Sequence, residues 1–159
     1  MTIPRMEAIL DDAKAKKLIQ TLGGKALAIK DRKNDYLSVM SAVVFADVMD
    51  HFLLEKGPKG PWKAWSRAYS EHMDRIGKGG NKVLQDSGRL RGSFYPTNHR
   101  LTSDGILWFN PAKTKGGFPY AAAHDEGGET LPQRKFMYLS DHALEKMASQ
   151  TLEFLEREN

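Results

Sequence analysis

The sequence predicts an α+β fold: long N-terminal helices packed on a small antiparallel β-sheet, with a closing C-terminal helix. Three observations predict it. Asp35 to Glu55 repeats apolar side chains at helical spacing, residues 84–139 fall into short apolar runs broken by Gly and Pro, and an amphipathic run closes the chain. At 159 residues, 40% hydrophobic and 28% charged, the chain can bury one core, so a single domain spanning 1–159 is expected. Within it the divisions are a helical extension (1–30), a flexible basic loop (56–81), a sheet region (84–139) and a final helix (141–157).

Pro4 to Leu22 reads as the first helix, with Pro4 in the first turn, acids before lysines, and a stripe of Met6, Ile9, Leu10, Ala13, Leu18 and Leu22. Gly23-Gly24 stops it. From Asp35, the i, i+4 ladder Tyr36, Met40, Val44, Val48, Phe52 defines the strongest helix. Leu37, Val39, Val43, Phe45, Met49 and Leu53 widen its apolar surface, while Asp47 and Asp50 are assigned to its polar side. Gly57-Pro58-Lys59-Gly60-Pro61 then ends regular structure, and a further helix is expected within Lys63 to Asp74.

Lys82 to Phe94 reads as a polar corner at Asp86-Ser87-Gly88 followed by a strand. Alternation places Leu90, Gly92 and Phe94 on one side and Arg89, Arg91 and Ser93 on the other. Gly88 supplies the backbone freedom if the corner passes through positive φ. Further strands are expected at Ile106 to Phe109, after Ser103-Asp104-Gly105, and at Tyr120 to His124, after Gly116-Gly117-Phe118-Pro119. Together they suggest an antiparallel meander. Asp125 to Glu129 is then an acidic tip, Leu131 to Leu139 an extended segment, and Ser140-Asp141 the N-cap of the last helix.

The chemistry visible in the residues is sparse. No cysteine is present, which excludes disulfides and thiolate metal sites. The five histidines match no metal-ligand spacing, and no serine sits in a nucleophile elbow. His124-Asp125-Glu126 holds suitable donors, but neighbours on a strand point to opposite faces. No catalytic residue, cofactor or metal is expected. The N-terminus lacks the apolar run of a secretory signal, and no window is read as long and apolar enough to cross a bilayer, so no membrane partner is expected.

The formal charge is +4, a mild basic excess, yet Lys56 to Arg91 holds nine Lys/Arg against three Asp/Glu. With Trp62 and Trp65, the cations Lys56, Lys59, Lys63 and Arg67 are candidates for facing DNA, by phosphate contact and stacking. The alternative, which is preferred, is a solvated loop with its tryptophans packed as anchors.

Four motifs stand in order from about Phe45 to Ser140, opening with the helix that ends Phe52-Leu53. They are Gly57-Pro58-Lys59-Gly60-Pro61-Trp62, Leu84 to Phe94 (LQDSGRLRGSF), Tyr120 to Gly127 (YAAAHDEG) and Pro132 to Ser140 (PQRKFMYLS). Their succession resembles the phage virion morphogenesis family, the tail-completion proteins of contractile-tailed bacteriophages and related prophages. Gly88, Leu90, Ser93, Tyr120, Ala121, His124, Gly127, Pro132, Arg134, Phe136, Leu139 and Ser140 match that pattern. Ser87 stands for a usual threonine, Met137-Tyr138 for Leu-Gly, and the first 30 or so residues lie outside the resemblance.

The resemblance implies a structural virion protein, not an enzyme, for tail completion and head–tail joining at the neck. It would form a homo-oligomeric ring that meets tail tube or terminator and head-connector proteins, with non-specific contact to DNA in the channel. It would be found in the virion, and in the host cytoplasm during assembly. The basic span and the acidic tip are complementary, so Arg89, Arg91, Asp125, Glu126, Glu129 and Arg134 are the candidate interface residues. Arg134 is either a lone surface cation or the partner of an acid on a neighbouring subunit.

Overall fold

A computed structural model of the chain describes residues 5–7, 32–101 and 106–157. Its elements run β1 (Arg5–Glu7), α1 (Lys33–Leu54), β2 (Lys56–Gly57), β3 (Gly60–Pro61), α2 (Arg67–Arg75) and α3 (Arg89–Gly92). They continue with β4 (His99–Leu101), β5 (Ile106–Phe109), α4 (Tyr120–Glu126) and α5 (Asp141–Glu156). The class is α+β, with a long helix, two small antiparallel sheets and a closing C-terminal helix.

The core is built along α1. Met40, Val44, Val48 and Phe52 are almost wholly buried, and Leu37 and Val43 are buried beside them. Phe52 lies between Trp62, edge-on at 5.6 Å, and Phe136 at 5.1 Å. Phe45 stacks on Phe94 at 6.1 Å, while Tyr36 meets Phe154 of α5 at 5.4 Å. Burying such rings in edge-to-face and offset contacts adds about 0.5–1.5 kcal/mol per pair to the gain from area alone. By length and composition α1 would also pass as a membrane-crossing helix, contrary to the sequence reading, but half of its most apolar stretch is buried inside this fold.

The main sheet has the order β1-β5-β4, antiparallel throughout, with Met6 and His99 both opposite Trp108. β5 lies where the sequence places it. The strand at Arg5–Glu7 replaces the start of the helix expected from Pro4, because pairing with β5 overrides a marginal helical pattern. The rest of that helix and of the 1–30 extension lies outside the described residues. β2 and β3 form a two-stranded hairpin, closed by the Trp62 amide donating to the Glu55 carbonyl at 2.7 Å. The stretch expected to be a flexible loop (56–81) therefore contains this hairpin and α2, the latter capped by the Ser66 hydroxyl.

Two segments expected to be strands are helices. Gly88 does take positive φ, at 71°, but Arg89–Gly92 then closes one helical turn in which the Gly92 amide meets the Gly88 carbonyl at 2.8 Å. Leu90 and Phe94 are both buried, and a spacing of four satisfies a helix as well as a strand. Tyr120–Glu126 is helical too. Its adjacent Ala121 and Ala122 are both buried, which an alternating strand would forbid, and its alanine run favours a helix.

Candidate functional site

The first, third and fourth motifs meet at the C-terminal half of α1, around the extended segment 134–140. The second reaches the same helix through Gln85, which donates to the Phe52 carbonyl at 2.7 Å. Among the described residues the 134–140 segment pairs with no strand, so its buried peptide groups need side-chain partners. Asp125, at the end of α4, supplies one carboxylate oxygen to the amides of both Phe136 and Met137, each at 2.8 Å. His51 Nδ1 donates to the Phe136 carbonyl at 2.8 Å, and Trp62 Nε1 donates to the Lys135 carbonyl at 3.0 Å. The Ser140 amide donates to Asp47 Oδ2 at 2.9 Å, and its hydroxyl donates to Asp47 Oδ1.

Arg134 completes the clamp from the other side. Its amide donates to the His124 carbonyl, while Nε and Nη2 donate to the carbonyls of Lys63 and Ala64 at 2.9 and 3.4 Å. Thus the fourth motif is held by residues of the first, the third and α1. Two glycines make room: a Cβ on Gly57 would meet the Lys135 carbonyl at 3.2 Å, and one on Gly127 would lie 2.8 Å from the Gln133 backbone.

The electrostatics are those of a structural joint. Burial pushes the Asp125 carboxyl above its ordinary range, against the pull of the two amides and of Lys135, whose Nζ is 3.5 Å away. Burial acts on Asp47 in the same sense, yet His51 and the hydroxyl and amide of Ser140 outweigh it and hold the carboxyl below its ordinary value. His51 Nε2 lies 3.6 Å from Asp47, and its ring stacks on Tyr138 with centroids 3.8 Å apart. The Tyr138 hydroxyl is pushed up by burial and by the Asp47 charge. His124 is held toward its neutral form by burial and by the Arg134 cation, and Arg134 is itself lowered by burial.

Comparison of the chain with protein-family models, curated proteins and solved structures finds no match.

Several candidate residues lie elsewhere than the sequence places them. Asp125 is 2% exposed and faces inward, because two buried amides need its oxygen, so it cannot be an acid of a docking tip. Glu126 and Glu129 are exposed. Arg134 is 6% exposed and spent on two carbonyls of its own chain, so it is neither a surface cation nor an intersubunit partner. Trp62 is buried with its N–H bonded, which excludes it from stacking on a base, and Trp65 is half-buried edge-on to Tyr69. Lys56, Lys59, Lys63 and Arg67 are exposed, with Arg67 bonded to Glu71 at 2.8 Å. Arg89 and Arg91 are exposed on α3, not along a strand, and Arg91 donates to Gln85.

Asp47, His51 and Asn110 are the site residues the sequence reading missed. Asp47 sits on the buried side of α1 rather than the polar side, and its i, i+4 spacing to His51 was the available signal. Asn110 is 1% exposed and ties α3 to the end of β5, donating to the Leu90 carbonyl and accepting from the Ala112 amide. Among the described residues no group of three His, Cys, Asp or Glu converges in a way that would hold a metal ion.

Proposed function

We propose that this chain is a structural virion protein that completes a phage tail and joins it to the head, acting through ring assembly and docking. One observation carries the reading: the third- and fourth-motif residues that match the tail-completion pattern converge on a single joint, with Gly88 of the second motif turning the chain into α3. Gly88, His124, Gly127, Arg134, Phe136 and Ser140 come from three of the four motifs, and each serves the backbone or the core. Residues that define how a chain folds are what a shared assembly fold would hold in common, and their order along the chain matches that family.

The working surface is then the exposed polar shell carried by this joint, with Arg89 and Arg91 on one element and Glu126 and Glu129 on another. Cyclic contacts join unlike patches of this kind. The proposed partners are further copies of the chain, tail tube or terminator proteins, and head-connector proteins. The proposed location is the neck of the virion, reached from the host cytoplasm.

Electron microscopy of particles made without this protein tests the reading. Full heads beside separate, complete tails are expected. Normal joined virions, or a block before any tails appear, would overturn it.

A further inference from the structure

The stretch Ser87 to His124 contains five Lys/Arg and a single acid, Asp104. All five cations, Arg89, Arg91, Arg100, Lys113 and Lys115, are exposed. Among the described residues none of them is in an ion pair, whereas in the neighbouring basic stretch Arg67 is bonded to Glu71 and Lys78 to Asp86. Within a Debye length of about 8–10 Å, the charge of exposed cations outside any ion pair acts on whatever approaches.

Hydrogen bonds tie the described elements of this stretch together. Asn110 fastens α3 to the end of β5, and the Phe109 amide donates to the Asn98 carbonyl at 3.0 Å, joining the 95–98 turn to the same strand. Residues 113–118 close on themselves: the Thr114 amide reaches the Phe118 carbonyl at 2.9 Å, and the Phe118 amide reaches Thr114 Oγ1 at 3.1 Å. This small loop holds Lys113 and Lys115 in water and leaves Phe118 46% exposed. Tyr95, just after α3, is 57% exposed. Exposed cations in excess over acids, together with exposed aromatic side chains, are the equipment for binding an unpaired polynucleotide.

We propose that the surface formed by α3, the paired strands β4 and β5 and the 113–118 loop binds single-stranded nucleic acid, with its cations on phosphates and Tyr95 and Phe118 stacked on bases. This is a different surface from the tryptophan-bearing segment 56–67, whose Trp62 is buried. It shares Arg89 and Arg91 with the surface proposed above for contacts between copies, and adds Lys113, Lys115, Tyr95 and Phe118 to it.

The test is fluorescence anisotropy of the full chain with a labelled oligothymidylate across a salt series. If all five cations meet phosphates, affinity should fall about 100-fold between 50 and 200 mM salt. Replacing Arg89, Arg91, Lys113 and Lys115 together by glutamine should weaken binding more than about tenfold and flatten the salt slope. Tyr95→Ala with Phe118→Ala should cost at least about fivefold, a readout that does not depend on the charge variant folding. No binding at low salt would overturn the proposal, as would unchanged binding by the aromatic variant. So would equal competition by polyglutamate, which would mark the surface as one for acidic protein, or a loss caused instead by Lys56, Lys59 and Lys63→Gln.

Discussion

Asp47 and Ser140 cap each other across 93 residues of sequence. The Asp47 carboxylate accepts both the amide and the hydroxyl of Ser140, and that same hydroxyl accepts the Ala143 amide at 3.1 Å to start α5. One carboxylate in the middle of α1 thereby determines where the last helix begins. It couples the central helix to the closing one as directly as the apolar packing between them does.

Removing either partner should expose that coupling. Ser140→Ala loses a helix cap and is expected to cost about 1–2 kcal/mol. Asp47→Ala leaves the Ser140 amide without an acceptor as well and should cost about 2–4 kcal/mol. Because the folded state holds Asp47 below its ordinary value, its contribution is present above that value and lost as pH falls through the lowered one. Urea melts at neutral and acid pH measure both effects. Equal acid sensitivity in Asp47→Asn and the parent would remove Asp47 from the account.

Asp125 titrates with the opposite sign. Its carboxyl is raised in the folded state, so its favourable share is present at low pH and is lost as pH rises through the raised value. Asp125→Asn keeps an oxygen for the Phe136 and Met137 amides and removes the buried charge. It should fall within about 1 kcal/mol of the parent at neutral pH, or exceed it. Asp125→Ala strands both amides, at about 1–3 kcal/mol each. A denaturation series in which Asn and Ala are equally damaging would show that the charge, not the acceptor, holds the segment.

His124 adds a limb at milder acidity. It is held toward the neutral imidazole, so its contribution is present above the ordinary value of 6.5 and declines as pH falls through the lowered one. Thermal melts should show a decline as pH falls below the ordinary value of 6.5 that is reduced in His124→Asn. If the variant keeps the full slope, other histidines carry it.

The elements legible in the sequence are those whose signal is local and long. α1 and α5 announce themselves through many turns of apolar repeat, and Ser140 caps α5 as its hydroxyl and the following Asp141 suggest. β5 lies between a turn signal and Asn110-Pro111. The short elements were misread where two periods coincide, as at Leu90 and Phe94, or where burial reverses a habit, as at Ala121 and Ala122. The joint was hardest to see because its members answer to tertiary need. Asp47, Asp125 and Arg134 look like surface charges until the unpaired backbone of 134–140 is known to lie against them.

Arg134 should not be replaceable by lysine. Its planar fork reaches the carbonyls of Lys63 and Ala64 with two different nitrogens, a geometry that one ammonium cannot reproduce. Arg134→Lys and Arg134→Met should both loosen the chain between Trp62 and Ser66. Proteolysis after Lys63 should accelerate in each, and the fluorescence of Trp62 should shift to the red. A lysine variant with the parent's cleavage rate would reduce Arg134 to a tolerant buried cation.

Two glycines separate backbone conformation from close approach. Gly88 and Gly127 both have positive φ, at 71° and 73°. Around Gly88 nothing lies within 4 Å of an added Cβ, so Gly88→Ala meets only the left-handed penalty of about 1–2 kcal/mol. Asparagine there should recover part of that cost, since it tolerates this region. Gly127 has ψ near −172°, a region open almost only to glycine, and its Cβ would meet the Gln133 backbone at 2.8 Å. Its neighbour is main chain, not a flexible side-chain end, so nothing can move aside cheaply. Gly127→Ala should therefore cost clearly more than Gly88→Ala, by about 1–3 kcal/mol, with no rescue by asparagine. Equal losses at the two positions in parallel urea titrations would mean that the 127–133 approach is looser than the packing here implies.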